Sequence, residues 1–359
     1  MKETYITRAV LKDYLTVKNV DITFNEGINI IIGKNGTGKT NFINYLADSL
    51  SSIQKITNNN SLLYFNFFKS DYQKEIKNIR LLKQVKNEKS LAPLLEVKEV
   101  KNVVFKNESG GIVDEINYLE ALDAVKICHG IPENYQLVQE PFNGVINKFS
   151  NGYTLSPSSE KDTLSFEIGK YYISNYLFFP SESFNINDSL KLLNSNIYRY
   201  SNIEKVRIGQ NFNINDNDPD EIHFNNLYIE FLVNGDWLLF NQLSDGTKRL
   251  FYIISEITLS NKSIILLEEP ELGLHPHQLY TLMQFIKEMS EKFQFIITTH
   301  SPMVLNTLNS DELDNIIISS IENGATQLKH LTPEQIAKAQ AYMKNMDLSD
   351  YWIHSDLED

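Results

Sequence analysis

Apolar residues at the start of the chain recur with the short period of extended backbone. Residues 6–11 and 17–24 are rich in β-branched side chains, and Glu26-Gly27 reads as a turn into a third strand over 28–32, Ile28-Asn29-Ile30-Ile31-Ile32. The rhythm then changes. Phe42, Ile43, Leu46 and Leu50 recur at helical spacing and predict a helix over 41–50. A second ordered block opens at residue 226 with a hairpin, 226–233 and 237–240, around Asn234-Gly235-Asp236. A helix over 248–259, a buried strand over 263–267, a helix over 276–290 and a buried strand over 293–298 follow. Short apolar strands alternating with helices imply a parallel sheet. Beyond it lie a hairpin over 316–330 and a helix opened by Thr332-Pro333-Glu334-Gln335, a capping box with proline in its first turn. The end of the chain, 347–359, is acidic, and no internal repeat is visible.

Between the two blocks the order is lost. Polar interruptions at Asn58-Asn59-Asn60, 107–111, 150–162 and 211–220 read as loops, and 51–224 reads as an insertion. Within it, Ile76, Ile79, Leu82 and Val85 are spaced three apart and predict a helix over 72–86, with Lys and Arg on the rest of its surface. Heptads are not sustained, which speaks against a long coiled coil.

Composition sharpens this picture at three points. With 359 residues, 42% hydrophobic, the chain holds material for two domains or for one domain with a large insertion, and the two ordered blocks favour the second. A net charge of -13 speaks against coating nucleic acid over the whole surface. Residues 69–106 nevertheless carry ten Lys/Arg against five Asp/Glu, a local basic island that reads either as a solvated helical face or as a DNA-facing arm. The single cysteine, Cys128, can form neither an internal disulfide nor a structural zinc site; it reads as a small buried residue in a reducing cytoplasm. The N-terminus lacks the apolar stretch of a signal peptide and the apolar runs are short for a membrane span, so a cytoplasmic chain without membrane contact is expected.

Candidate chemistry sits at the ends of the predicted strands. Gly33-Lys34-Asn35-Gly36-Thr37-Gly38-Lys39-Thr40 follows a strand, precedes a helix and matches the P-loop in every fixed position. Backbone N–H groups from Asn35 to Gly38 can curl around β- and γ-phosphates, Lys39 adds a positive charge and the Thr40 hydroxyl can ligate magnesium. Ile264-Ile265-Leu266-Leu267-Glu268-Glu269 is an apolar strand ending in two acids; behind a P-loop, Glu268 would hold the metal and Glu269 would polarise the attacking water. Ser244 and Gly246, in Leu243-Ser244-Asp245-Gly246-Thr247-Lys248-Arg249, can donate to a phosphate at a helix start, or Ser244 can simply cap that helix. His300, in Thr298-Thr299-His300-Ser301-Pro302, can reach a γ-phosphate oxygen or the attacking water.

Taken in this order, these elements resemble the ABC-type ATPase superfamily, in particular its soluble SMC, RecF and OLD-like branch. The likeness also rests on Leu11-Lys12-Asp13-Tyr14, Phe24-Asn25-Glu26-Gly27-Ile28-Asn29 and Leu267-Glu268-Glu269-Pro270-Glu271-Leu272-Gly273-Leu274-His275-Pro276, and it covers 1–50 and 225–310. In the insertion only Phe179-Pro180-Ser181-Glu182 looks like an OLD-like segment. The resemblance implies an α/β fold: a P-loop NTPase, the ABC-ATPase head, split over 1–50 and 225–330. A mixed α/β lid or arm would occupy 51–224, and a C-terminal helix and acidic tail 331–359. It implies ATP and Mg as cofactors and a head-to-head homodimer or higher oligomer, with ATP between the P-loop of one subunit and Ser244 of the other. The loop 271–275 would then lie between subunits. Three positions depart from the pattern. Glu268 stands where Asp is usual; the lever-arm glutamine is unassigned between Gln136 and Gln139; and the signature reads Leu-Ser-Asp-Gly-Thr, not the transporter's Leu-Ser-Gly-Gly-Gln.

Three functions compete on these residues. The first is an ATPase of a bacterial anti-phage defence system controlling a separate effector, a nuclease or toxin encoded nearby; the 59 residues after His300 are too few for an OLD-type nuclease domain. The second is a RecF- or SMC-like DNA maintenance ATPase contacting DNA through 69–106. The third, ranked last, is a transporter's nucleotide-binding subunit, for which the 202 residues between Thr40 and Leu243 are about twice the expected spacer.

Overall fold

The computed structural model describes residues 4–50, 60–67, 70–85, 94–107, 125–128, 142–149, 152–157, 186–215, 218, 220–260 and 263–355. The first strands are β1 (Thr4–Tyr14), β2 (Val17–Thr23) and β3 (Ile28–Ile32), followed by helix α1 (Lys39–Leu50). Then come β4 (Asn60–Phe67), β5 (Ser70–Val85), β6 (Leu94–Asn107), β7 (Val125–Cys128), β8 (Phe142–Phe149), β9 (Gly152–Pro157) and α2 (Ile186–Tyr200). Strands β10 (Lys205–Ile208), β11 (Asn213–Asn215), β12 (Glu221–Leu227), β13 (Ile229–Val233) and β14 (Asp236–Leu239) lead to α3 (Asp245–Thr258). The chain closes with β15 (Ile264–Glu268), α4 (Pro276–Met289), β16 (Gln294–Thr299), β17 (Ile316–Glu322), β18 (Ala325–His330), α5 (Pro333–Tyr342) and α6 (Leu348–His354). The chain divides into two compact units. One holds 1–128, 261–270 and 287–359, and the other 129–260 and 271–286.

The first unit carries the P-loop. Its six-stranded sheet has the order β18-β17-β3-β16-β15-β7, parallel from β17 to β7, with β18 antiparallel at one edge. All five residues of β3 are buried, as a central parallel strand requires. A five-stranded antiparallel sheet, β2-β1-β4-β5-β6, supplies the second layer. Helix α1 turns Phe42, Ile43, Leu46 and Ala47 into one core with Ile6, Leu11 and Ile22 of the antiparallel sheet and Ile31, Leu266 and Ile296 of the parallel one. Tyr45 donates its hydroxyl to the Lys12 carbonyl at 2.7 Å, which fixes α1 against β1.

Two glutamine and asparagine side chains stitch these layers. The buried Gln294 accepts from the Ile6 amide and donates to the Ile6 carbonyl, both at 2.8 Å, and also donates to the Asn25 carbonyl. Asn29 accepts from the Asn25 amide and returns a bond to its carbonyl, again at 2.8 Å. In the Phe24-to-Asn29 motif these two asparagines thus organise the turn into β3.

Residues 70–85 form a strand, not the helix that the spacing of Ile76, Ile79, Leu82 and Val85 suggests. Strand β5 pairs antiparallel with β6 over fourteen positions, and those four residues stand opposite Val103, Val100, Val97 and Leu94. Within the basic island, β5 and β6 therefore pair as antiparallel strands, in a register that sets Arg80 opposite Glu99 and Lys83 opposite Glu96. Strand β7, from within the expected insertion, pairs with β15 and joins the parallel sheet.

In the second unit, β10-β13-β14 and β11-β12-β8-β9 form two antiparallel sheets. Phe231, Phe240 and Phe251 cluster with centroids 4.8 to 6.3 Å apart, covering α3 on its apolar side. Arg207 lies 3.6 Å from the Trp237 ring centroid and pairs with Glu230 at 2.7 Å, linking the strands of the smaller sheet. Among the described residues, no helix is long and apolar enough to cross a membrane. Gln136, Gln139 and 179–182 lie outside the described residues.

Candidate functional site

The P-loop runs from the end of β3 into the first turn of α1. Gly36 and Gly38 adopt φ of 82° and 89°, backbone that side chains resist, so the loop can fold back on itself. Lys39 is 5% exposed and donates to the carbonyls of Gly33 at 2.7 Å and Lys34 at 3.0 Å. Its charge is thus held inside the curl of the loop. No acid occupies the first turn of α1, which leaves the positive end of the helix dipole uncompensated within the helix. Both features favour an anion.

That anion has room. A cavity of ≈ 360 Å³ is lined by Asn35, Gly36, Gly38, Lys39, Thr40, Asn41 and Glu269, a volume and a donor set that fit a polyphosphate. Thr37 does not line it. Its hydroxyl instead donates to the Lys34 carbonyl at 2.9 Å, and its carbonyl accepts from Ser319 Oγ at 3.3 Å, so this residue shapes the loop from behind. The sequence offers no local sign of Ser319 and Thr326, which approach the loop from β17 and β18 far along the chain, or of Thr16, which approaches it from the turn between β1 and β2. Asn41, directly after the motif, also lines the cavity and was not singled out by the P-loop pattern.

Across the cavity stands the end of β15. Glu268 closes the strand, half-buried, with Thr298 of β16 as its register partner. Glu269 then breaks the strand geometry with φ of 41° while its amide still donates to the Thr298 carbonyl at 2.8 Å. A glutamate held in the left-handed region is strained by about 1 kcal/mol, and such strain gathers at functional sites. The kink brings the Glu269 carboxylate to the cavity wall, 3.5 Å from Nδ1 of His300. The two residues predicted to handle the attacking water are therefore adjacent.

Magnesium, which the P-loop motif implies, would meet Thr40 first. Thr40 lines the cavity; Glu268, the carboxylate predicted to hold the metal, does not, and its register partner Thr298 has a buried hydroxyl with no hydrogen-bond partner in the protein. Among the described residues, no three His, Cys, Asp or Glu side chains are grouped so that they could hold a metal ion. A site with few protein oxygens is the kind that magnesium shares with substrate phosphates.

The other two predicted residues belong to the second unit. Ser244 is exposed and caps α3, accepting from the Thr247 amide at 3.3 Å and donating to Thr247 Oγ1 at 2.9 Å. The helix-capping reading of Ser244 is thus realised, and its exposure keeps the helix start accessible to an anion. Gly246 packs where a Cβ would lie 2.8 Å from the Gly273 carbonyl and 3.0 Å from Gln278 Oε1, so its smallness admits the loop 271–275 and the first turn of α4.

Residues 28–306 match the protein family described as "AAA domain, putative AbiEii toxin, Type IV TA system". The chain is 26% identical over 319 residues to the Septu protein PtuA of Bacillus thuringiensis, covering 83% of this chain and 72% of that protein. It is 31% identical over 100 residues to "Retron Vc95 probable ATPase" of Vibrio cholerae, a match that spans 24% of this chain and 20% of the retron protein. A similar match to "Retron Ec83 probable ATPase" of Escherichia coli spans 16% of that protein. Among solved structures, an SMC head bound to the C-winged helix domain of ScpA superposes with a TM-score of 0.58 at 15% identity, covering 92% of this chain and 99% of that one. A second SMC head with an extended coiled coil, from Pyrococcus furiosus, gives 0.54 at 12% identity, with 95% and 100% covered. The fold is therefore that of an SMC-type head.

Proposed function

This chain belongs to the family described as "AAA domain, putative AbiEii toxin, Type IV TA system", and from that premise we propose that it hydrolyses ATP with magnesium as the switching subunit of an anti-phage defence system. The retron and Septu relatives support the setting, and the site supports the chemistry. The observation that carries the reading is Glu269, which lines the cavity framed by the P-loop with His300 Nδ1 3.5 Å from its carboxylate.

Lys39 and the amides of 35–38 bind and orient the phosphates. Magnesium, when bound by Thr40 and Glu268, supplies charge neutralisation on phosphate oxygens. Glu269 accepts a proton from water as the water oxygen bonds to the γ-phosphorus and the bond to the β–γ bridging oxygen breaks, releasing ADP and phosphate. His300 holds the Glu269 carboxylate in place for that transfer. In a head-to-head dimer, Ser244 of a second copy closes over the nucleotide, and the closed state holds or releases a separate effector.

The DNA-maintenance reading has less support, because the register of β5 with β6 sets two cations opposite acids. Titration of Glu269→Gln with ATP, followed by a phosphate-release assay, tests the proposal. Nucleotide binding should persist while turnover falls by roughly a hundred- to ten-thousandfold. Lys39→Ala should bind no nucleotide. Undiminished turnover in Glu269→Gln would remove Glu269 from the base's role.

A further inference from the structure

Against the P-loop, three side chains from separate elements meet, one of them the cavity-lining Asn41. Thr16 sits in the turn between β1 and β2, Asn41 in the first turn of α1 and Thr326 in β18. Thr326 is fully buried and donates twice onto Thr16: its amide to the Thr16 carbonyl and its hydroxyl to Thr16 Oγ1, both at 2.8 Å. Asn41 donates its side-chain amide to the same Thr16 Oγ1 at 2.9 Å. Gly38 is wedged against this cluster, for a Cβ there would collide with both Thr326 Oγ1 and Thr16 Oγ1. The turn that presents Thr16 is itself strained, with Leu15 at φ of 45° and 60% exposed. An exposed leucine in left-handed backbone gains nothing from packing; what the turn obtains is the position of Thr16.

We propose that Thr16, Asn41 and Thr326 form a polar brace that fixes Gly38 and the start of α1 in the phosphate-binding conformation, so that these positioning residues set nucleotide affinity without entering the chemistry. The brace rests on the nucleotide-binding reading of the P-loop. Its physics is pre-organisation. The P-loop needs backbone that most residues avoid, and a loop free to relax would have to be reordered each time a nucleotide binds. A buried hydroxyl on one side and a strained turn on the other remove that freedom. Because Thr16 Oγ1 is shared by two donors, the three residues act as a unit, and the loss of any one hydroxyl releases the others.

The test is a titration of the full chain with a fluorescent ATP analogue, with steady-state KM and kcat for ATP and thermal unfolding without nucleotide measured alongside. Thr326→Val should raise Kd and KM roughly fivefold to tenfold, the scale of one lost hydrogen bond, with kcat within about twofold of wild type. Thr326→Ser, which keeps the hydroxyl, should return Kd to within about twofold. The double variant Thr16→Val/Thr326→Val should bind no more weakly than Thr16→Val alone. If Thr326→Val does not fold, Thr16→Val carries the same comparison from the turn. Wild-type affinity in both valine variants, equal losses in Thr326→Ser and Thr326→Val, or additive losses in the double variant would overturn the brace. Failure of the underlying reading is distinct: wild type would then bind the analogue no better than Lys39→Ala, and both proposals would fall together.

Discussion

At the scale of single residues, the site is marked by backbone that its side chain does not favour. Glu269 carries φ of 41° immediately after the last residue of β15, and the same kink that strains it delivers its carboxylate to the cavity wall. Function and stability should therefore diverge at this position. Glu269→Gly relieves the left-handed strain, whereas Glu269→Ala keeps it. We expect the glycine variant to be more stable than the alanine variant by about 1 kcal/mol in urea unfolding, although glycine ordinarily weakens a fold. Both should lose hydrolysis alike. If the alanine variant proves the more stable, the strain is not stored there.

Elements show where the sequence was informative and where it was not. Strands β3, β15 and β16 and helices α1 and α4 were read to within a residue or two, because each is long or apolar enough to impose its own period. The Thr332 capping box appears as predicted, with Gln335 Oε1 accepting from the Thr332 amide at 2.8 Å. Strand β5 is hidden from a local reading because a spacing of three fits a helical stripe. The register partners of Ile76, Ile79, Leu82 and Val85 are Val103, Val100, Val97 and Leu94, which lie on β6, beyond any local window. Strand β7 escaped for a different reason: four residues are too few to show a period. The catalytic candidates were legible because the P-loop and the Glu268-Glu269 strand end are local patterns, whereas Thr16 and Thr326 are 310 residues apart. Helix α3 offers a test at this scale. Ser244→Ala removes a cap and should cost about 1 kcal/mol. Gly246→Ala should lower the melting temperature further, since its Cβ would lie 2.8 Å from a backbone carbonyl that cannot swing aside like a side chain. Equal melting temperatures for the two variants would contradict that packing.

For the molecule as a whole, acid should be the first stress to be felt. Burial pushes the Glu312 carboxyl upward, but the hydrogen bond from Lys287 and the Asn309 amide outweigh it and hold the group below its ordinary value of 4.5. Asp21 is likewise held low, mainly by its hydrogen bond from Arg8. Groups depressed in the folded state bind protons more readily when unfolded, so their contribution is present above the ordinary carboxylate range and is lost as pH falls through the folded values. Melting temperature should therefore be flat near neutrality and decline below about pH 4.5. In Lys287→Gln the drop between neutral and acid pH should be smaller than in wild type; an unchanged drop would separate Glu312 from acid stability.

Strand β3, which ends in the P-loop, lies between β16 and β17 and pairs with no strand near it in the sequence. Its neighbours follow roughly 270 residues later, a separation that makes sheet closure slow by the rule that distant pairings delay folding. On the ribosome, the motif that defines the protein is thus made early and shaped late. The phosphate cradle has no floor until β16 and β17 have been synthesised, and no rear wall until Thr326 has followed. Nucleotide binding, for this chain, can report that nearly everything described has already folded.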